Sequence, residues 1–396
     1  MTMNLTPAAI LPQDAAQATL IGRAQVPGNP GGPSPVLVEP EQVYDLSALA
    51  PTCAELLSRA DLLEAVRAAR RKPIGKLADL LTNSDAGLRA PRQPYFLAPC
   101  DLQTVKACGV TFVSSMLERV IEEQAKGDLK AAESIRRSLG EEIGASIASV
   151  KPGSPEALRV KESLLKRNLW SQYLEVGIGP DAEVFTKAQP MSAVGLGAEV
   201  GIHPASHWNN PEPELVMAVN ARGDIIGAAL GNDVNLRDFE GRSALLLGRG
   251  KDNNGSCAIG PFIRLFDRNF SLDDARGTQI EIEVSGNDGF KMQGISDLRK
   301  ISRDITDLVG QTINPHHQYP DGLMLFLGTM FAPIQDRDAP GQGFTHKLGD
   351  TVTIRSERLG ALVNRVNHTN KIPPWQFGAQ ALIRNLVERG LLSPQL

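Results

Sequence analysis

The chain of 396 residues carries only four cysteines and six histidines. Cys53, Cys100, Cys108 and Cys257 show no CxxC spacing. That argues against a zinc ribbon, a redox dithiol or a disulfide framework, and fits free thiols in a reducing cytoplasm. The histidines match neither a metalloprotease nor a zinc-ligand pattern, and His316-His317 in NPHHQYPDG reads as surface loop. No apolar run approaches the roughly 20 residues of a membrane-spanning helix. The opening MTMNLTPAAILPQDAA lacks the basic start and apolar stretch of a signal peptide. A cytoplasmic protein without a membrane partner is therefore expected. No charge excess stands out either: 41 Lys and Arg face 45 Asp and Glu, a net charge of −4. Without a basic run or basic–aromatic interleaving, nucleic acid is not an expected partner. There is no GxSxG elbow. GRGKDNNGS lacks the Ser/Thr that follows the GK of a P-loop, and GLGAEVG (195–201) has the wrong spacing for a dinucleotide fingerprint.

What the chain does have is 42% hydrophobic residues, 37 glycines and 27 prolines. That supports a large core in an α/β or α+β chain of two or three domains. Residues 1–45 read as an extended arm with short strands in ATLIGRAQV and PSPVLVEPEQVYDL. AELLSRADLLEAVRAAR (54–70) has helical spacing. A domain boundary is placed near residue 107. Residues 113–147 are good helix formers, with Gly127 and Gly140 as breaks. Ser154 caps a further helix, with Pro155 just inside it. The helices at about 113–175 form a lid. From 183 onward the chain is strand-rich (EVFTKAQ, ELVMAV, DIIGAAL, GPFIRLFD, QIEIEVS, GLMLFLGT, DTVTIRS), and it closes in an amphipathic helix.

The stretch PEPELVMAV (211–219) starts an apolar strand with two glutamates. Residues two apart in a strand share a face, so Glu212 and Glu214 sit roughly 6–7 Å apart. NARG then separates two strand-like runs, which predicts a hairpin. If Ala221 pairs with Asp224, Glu212 falls opposite Asp233 and Glu214 opposite Gly231. Three carboxylates from one hairpin suit a hard divalent cation such as Mg²⁺. The bland alternative is a solvated acidic rim. Lys251, in GRGKDNNGSCAIGPF, lies in a Gly/Asn-rich loop just before an apolar strand. A nearby cation lowers a lysine's pKa, so Lys251 is a candidate base; the bland alternative is a surface charge.

These residues, in this order, resemble the fumarylacetoacetate hydrolase superfamily. The match runs from roughly Cys108 to Arg365, through GVTFVSSMLE, EVFTKAQPMSAV, PEPELVMAV, GNDVNLRD, GKDNNGSCAIGPF and DGLMLFLGTM. The resemblance implies an α+β fold: a mixed β-roll with a helical lid over residues 108–396, behind a smaller α/β domain at 1–107. It implies Mg²⁺, with Mn²⁺ as the alternative, on Glu212, Glu214 and Asp233. It makes Lys251 the family lysine, Arg237 the family arginine, and Gly328-Thr329 the pair that contacts a substrate carboxylate. A homodimer or dimer of dimers is the implied assembly. Three features depart from the family pattern. Ser115 stands where many relatives have a lid histidine, while Glu118 keeps the lid glutamate. Glu240 replaces a glutamine. The 18 residues between Glu214 and Asp233 form a hairpin instead of containing a helix.

The sugar-acid branch of the superfamily is the nearest match. It implies Mg²⁺-dependent dehydration of a 2-keto-3-deoxy-pentonate to 2,5-dioxopentanoate in pentose breakdown. Lys251 or Glu118 would remove the C3 proton, and Glu118 or Glu240 would assist the departing hydroxyl. Ser115, Arg237, Ser256, Gly328 and Thr329 would position the substrate. The alternatives are a C–C hydrolase or decarboxylase of a 2-oxo acid, and a non-enzymatic protein that binds a small oxo acid.

Overall fold

The apolar run at residues 215–219 is explained by what covers it. The computed structural model describes residues 3–126, 128, 131, 132, 147, 150–166, 170–340 and 342–392. In it, strand Pro213–Val219 lies inside an 11-stranded sheet. Val216 and Ala218 join a buried cluster with Leu56, Leu62 and Val66 of the N-terminal helices. Leu215, Met217 and Val219 join another with Ile282, Val284, Ile354 and Leu362 of a second, five-stranded sheet. A strand covered on both faces loses the apolar–polar alternation of a half-exposed one.

The large sheet runs Pro73–Lys76, Gln42–Asp45, Gly32–Val38, Leu20–Val26, Cys257–Leu265, Ile225–Asp233, Pro213–Val219, Leu323–Phe326, Thr104–Gly109, Glu183–Ala188, with Tyr95–Leu97 paired to Leu20–Val26. The smaller one runs Lys291–Asp297, Gln279–Ser285, Thr351–Ser356, Gly360–His368, Glu199–Ile202. Both are mixed: Leu323–Phe326 pairs in parallel with Thr104–Gly109, and Gly360–His368 with Glu199–Ile202. The fold is α+β, as expected. All seven strands read from residue 183 onward are present.

Several local expectations need correction. The N-terminal residues are not an arm, because Gly32–Val38 is buried along its whole length and Leu20–Val26 pairs with Cys257–Leu265. The boundary placed near residue 107 falls inside strand Thr104–Gly109, and strands from either side of it share one sheet. The helix read at 54–70 is two helices, Cys53–Ser58 and Leu62–Ala68, broken where Arg59 is extended. Strand Gly360–His368 escaped notice because Asn364, Asn367 and His368 dilute its apolar pattern.

The hairpin forms, with one shift. Asn220, not Ala221, closes the turn against Asp224. Its side chain accepts from the Arg222 and Asp224 N–H groups and donates to Asp224. A bulge between Ala218 and Val219 then restores the expected register, so Glu214 lies opposite Gly231. The Asp233 N–H donates to the Glu212 carbonyl at 3.0 Å.

Helices Val113–Ala125, Pro155–Lys166 and Gln172–Ile178 contribute to a separate apolar cluster of Met116, Val120, Leu164, Leu174 and Ile178. Ser154 caps the second of them, accepting from Ala157 N–H at 3.2 Å. Gly127 and Gly140 lie outside the described residues.

Candidate active site

Strand directions bring the chemistry to one end of the large sheet. Pro213–Val219 and Cys257–Leu265 begin there; Ile225–Asp233, Leu323–Phe326 and Thr104–Gly109 end there; Glu183–Ala188 begins there. A cleft at that end is lined by Glu212, Glu214, Asp233, Lys251, Gly328 and Thr329 from the sheet side. Arg237 and Glu240 of the short helix Arg237–Glu240, and Ser115, Glu118 and Arg119 of the first lid helix, close it. The sequence missed Glu183, which also lines this cleft.

Glu212, Glu214 and Asp233 are buried, and one oxygen from each lies within 4.8 Å of the other two. The solvated-rim alternative fails on that burial. Each carboxylate is held by neighbours. Glu212 takes Asn235 Nδ2 on Oε1 at 2.9 Å and Lys251 Nζ on Oε2 at 2.5 Å. Lys251 also donates to Asp233 Oδ2 at 2.9 Å. Glu214 accepts the Gly328 N–H at 2.7 Å. Lys187, fully buried, lies 2.9 Å from Asp233 Oδ1. Burial opposes the Asp233 charge, but the Lys187 and Lys251 ammonium groups outweigh it and hold that carboxyl below its usual value. Burial, with Asp233 and Glu212 beside it, pushes Glu214 well above the carboxylate range.

Six carboxyls (Glu118, Glu183, Glu212, Glu214, Asp233, Glu240) line the cleft with three cationic side chains, Arg119, Arg237 and Lys251; Lys187 beneath Asp233 is a fourth. A divalent cation on the triad would offset the repulsion that Asp233 and Glu212 impose on the buried Glu214 carboxyl. A triad of hard oxygen donors at this spacing fits Mg²⁺ or Mn²⁺. The candidate ligands are Glu212, Glu214 and Asp233.

Lys251 differs from the neutral base expected of it. Burial works against its charge, but Asp233, Glu212 and Glu240 outweigh burial and raise its pKa above the ordinary lysine value. It stands as an ammonium bridging two of the three candidate ligands.

The other candidates divide. Arg237 lies under the lid, its guanidinium 5.2 Å from the Trp208 ring and 3.8 Å from the Glu118 carboxylate. Ser115 lines the cleft, yet its hydroxyl donates to Phe112 C=O at 2.8 Å and accepts the Phe112 N–H at 3.2 Å, so it also ties down the first turn. Gly328 spends its N–H on Glu214, so it positions a ligand and does not offer that group to a substrate. Thr329 borders the cleft and accepts the Phe331 N–H. Ser256 is corrected to a loop-building role: its hydroxyl donates to the Lys251 carbonyl (2.7 Å) and accepts the Asn253 N–H (3.0 Å), and the described lining residues do not include it.

Three residues unforeseen in the sequence reading stand out. Glu183 pairs across the sheet with Gly109, where an added Cβ would lie 2.0 Å from Glu183 Oε2. Burial raises its carboxyl to about 7, so it can hold a proton near neutrality. An acid opening an apolar strand, as in PEPELVMAV, was the signal for it. Lys187 sits mid-strand in EVFTKAQ, a charge where the pattern calls for an apolar residue. Arg119 joins Glu240, and lies 3.2 Å from Glu212 Oε1.

Over 190 residues, 48% of this chain and 60% of the relative, the sequence is 30% identical to 2-dehydro-3-deoxy-D-arabinonate dehydratase of Saccharolobus solfataricus. It is 29% identical to a probable 2-keto-3-deoxyxylonate dehydratase of Haloferax volcanii over 49% of this chain and 63% of that one. The chain thus spans under two thirds of the length of these curated relatives. A solved structure of 2-keto-3-deoxy-D-arabinonate dehydratase complexed with magnesium and 2,5-dioxopentanoate matches the fold with a TM-score of 0.58 at 19% identity, covering 88% of this chain and 99% of that one. The family model for the fumarylacetoacetate (FAA) hydrolase C-terminal domain matches residues 168–367, which include every candidate metal ligand, Lys251 and Thr329, and the chain belongs to the fumarylacetoacetate hydrolase family.

Proposed function

We propose that this protein is a metal-dependent hydro-lyase that dehydrates a 2-keto-3-deoxy-pentonate to 2,5-dioxopentanoate. The observation that carries the reading is the buried triad Glu212, Glu214 and Asp233 with Lys251 bridging two of its members. The likeness to pentonate dehydratases adds the substrate class. A divalent ion on the triad supplies Lewis-acid polarisation of a 2-oxo acid.

The reaction removes a C3 proton and the C4 hydroxyl as water, and the resulting 5-hydroxy enone tautomerises to the dioxo acid. Lys251 takes the C3 proton. To act as base it must first lose its own ammonium proton to solvent; a divalent ion held by Glu212, Glu214 and Asp233 would offset the carboxylate charge that keeps that proton in place. Glu183, whose carboxyl is raised to about 7 by burial, donates to the departing hydroxyl. A positioned acid or base of this kind contributes about 10²–10⁴-fold. Glu118, Glu240, Arg237 and Thr329 orient the carboxylate and hydroxyls.

The test is incubation with synthetic 2-keto-3-deoxy-pentonates of both C4 configurations, with Mg²⁺, Mn²⁺ or EDTA, following the semialdehyde product. Turnover of one configuration that EDTA abolishes and Mg²⁺ restores is expected. Release of pyruvate or CO₂ without semialdehyde would select hydrolysis or decarboxylation instead. Tight binding of the oxo acid with no product would mark a non-enzymatic binder. Full activity in Lys251→Ala would sink the base assignment.

A further inference from the structure

We propose that Arg119 is a lid-borne cation that competes with the divalent ion for Glu212, so that loading the triad shifts its guanidinium onto Glu240 and resets the lid helix. The inference rests on the metal reading above.

The first lid helix carries Glu118 and Arg119 side by side, facing a body helix that carries Arg237 and Glu240. Residues three apart on a helix share a face, so the body offers positive then negative where the lid offers negative then positive. Glu118 lies 3.8 Å from Arg237, and Arg119 pairs with Glu240. This crossed pair latches the lid. The second nitrogen of Arg119 reaches past the latch to Glu212 Oε1 at 3.2 Å. The side chain is largely buried, so little water screens the contact.

Glu212 already takes three donors: Asn235 and Arg119 on Oε1, Lys251 on Oε2. A cation at the roughly 2.1 Å of a Mg²⁺–oxygen contact must displace one of them or crowd it with like charge. Asn235 is fixed by its strand pairing with Asn210. Lys251 is the more deeply enclosed of the two cations, 2% exposed against 15% for Arg119, and has both Asp233 and Glu240 beside it. Arg119 has a second carboxylate to retreat to and sits on an element outside both sheets. It is the donor that yields. Its fork makes this possible, because one guanidinium can span two carboxylates and keep one when it loses the other.

The lid helix carries its own reporter. Ile121 and Ala125 pack with Trp208, and the Trp208 ring lies under the Arg237 guanidinium at 5.2 Å. A change in how Arg119 is held alters both contacts.

The experiment uses full-length protein with Trp170→Phe and Trp375→Phe, which leaves Trp208 as the sole tryptophan of three. Mg²⁺ is titrated by calorimetry and by Trp208 emission in this background and in Arg119→Gln, Arg119→Lys and Arg242→Gln versions. Arg242 is exposed and stacks on Phe239, so its loss controls for net charge alone. The expected result is three- to tenfold tighter Mg²⁺ binding in Arg119→Gln than in Arg242→Gln. The Mg²⁺-induced change in Trp208 emission present in the parent disappears with it. Arg119→Lys, a point charge without the fork, falls between. Equal or weaker binding in Arg119→Gln, or a Trp208 response that survives the substitution, overturns the proposal and leaves the metal reading intact. Absence of Mg²⁺ and Mn²⁺ binding in the parent overturns both.

Discussion

At Glu183, burial raises the carboxyl to about 7 from an ordinary 4.5. The native protein therefore holds a proton that the unfolded chain releases near pH 4.5. Where the native state binds more protons, stability falls as pH rises, here between about pH 4.5 and 7. Glu183→Gln removes that dependence. Urea denaturation at pH 5 and pH 7 should show the wild type losing ground against Glu183→Gln, by at most about 1.4 kcal/mol per pH unit. In the activity assay the same variant should lose roughly 10²–10⁴-fold in kcat if Glu183 is the acid. A loss of turnover without the stability trend would place its proton elsewhere. Residues such as Glu183 and Arg119 were hard to read from sequence for one reason. Their partners, Gly109, Glu212 and Glu240, are 74, 93 and 121 positions away and meet them only through sheet order and lid docking.

The hairpin Pro213–Asp233 shows what was legible at the scale of an element. Two apolar runs and a short turn fixed which carboxylates meet, because a register error of one would have turned them to the opposite face. The bulge at Ala218/Val219 was not legible: it depends on how the Asn220 side chain builds the turn. Gly231 is the element's tightest point. An added Cβ would lie 2.2 Å from Phe326 Cε1 and 2.6 Å from Val216 Cγ2. Gly231→Ala should therefore destabilise the protein by about 1–3 kcal/mol through overpacking, read as a lower denaturation midpoint with an unchanged m-value. Gly109→Ala differs in kind. Its added methyl meets the movable Glu183 carboxyl, so activity should fall by an order of magnitude or more while the midpoint changes by less than in Gly231→Ala. Equal midpoint losses in the two variants would contradict this account.

For the whole molecule, the strands before and after residue 107 form one sheet, a continuity that no local pattern encodes. Arg264, buried in strand Cys257–Leu265, marks the seam. It pairs with Asp14 through two contacts of 2.5 and 2.7 Å and stacks 4.7 Å over Phe270. Asp14 is held below its usual value chiefly by its hydrogen bonds from that arginine. Asp14→Ala leaves a buried guanidinium without its carboxylate, at a cost of roughly 3 kcal/mol. Metal binding acts on the same global equilibrium from the opposite end of the sheet. Mg²⁺ at 100 times its Kd should stabilise by about 2.7 kcal/mol through mass action. If the sheet unfolds as a unit, these distant changes add within about 0.5 kcal/mol, since they share no partner. Tryptophan emission and far-ultraviolet circular dichroism should then report one coincident transition in the wild type, in Asp14→Ala, and in each with Mg²⁺. An Asp14→Ala transition that splits, its later part alone responding to Mg²⁺, would show the N-terminal strands unfolding apart from the site and would refute the single cooperative sheet.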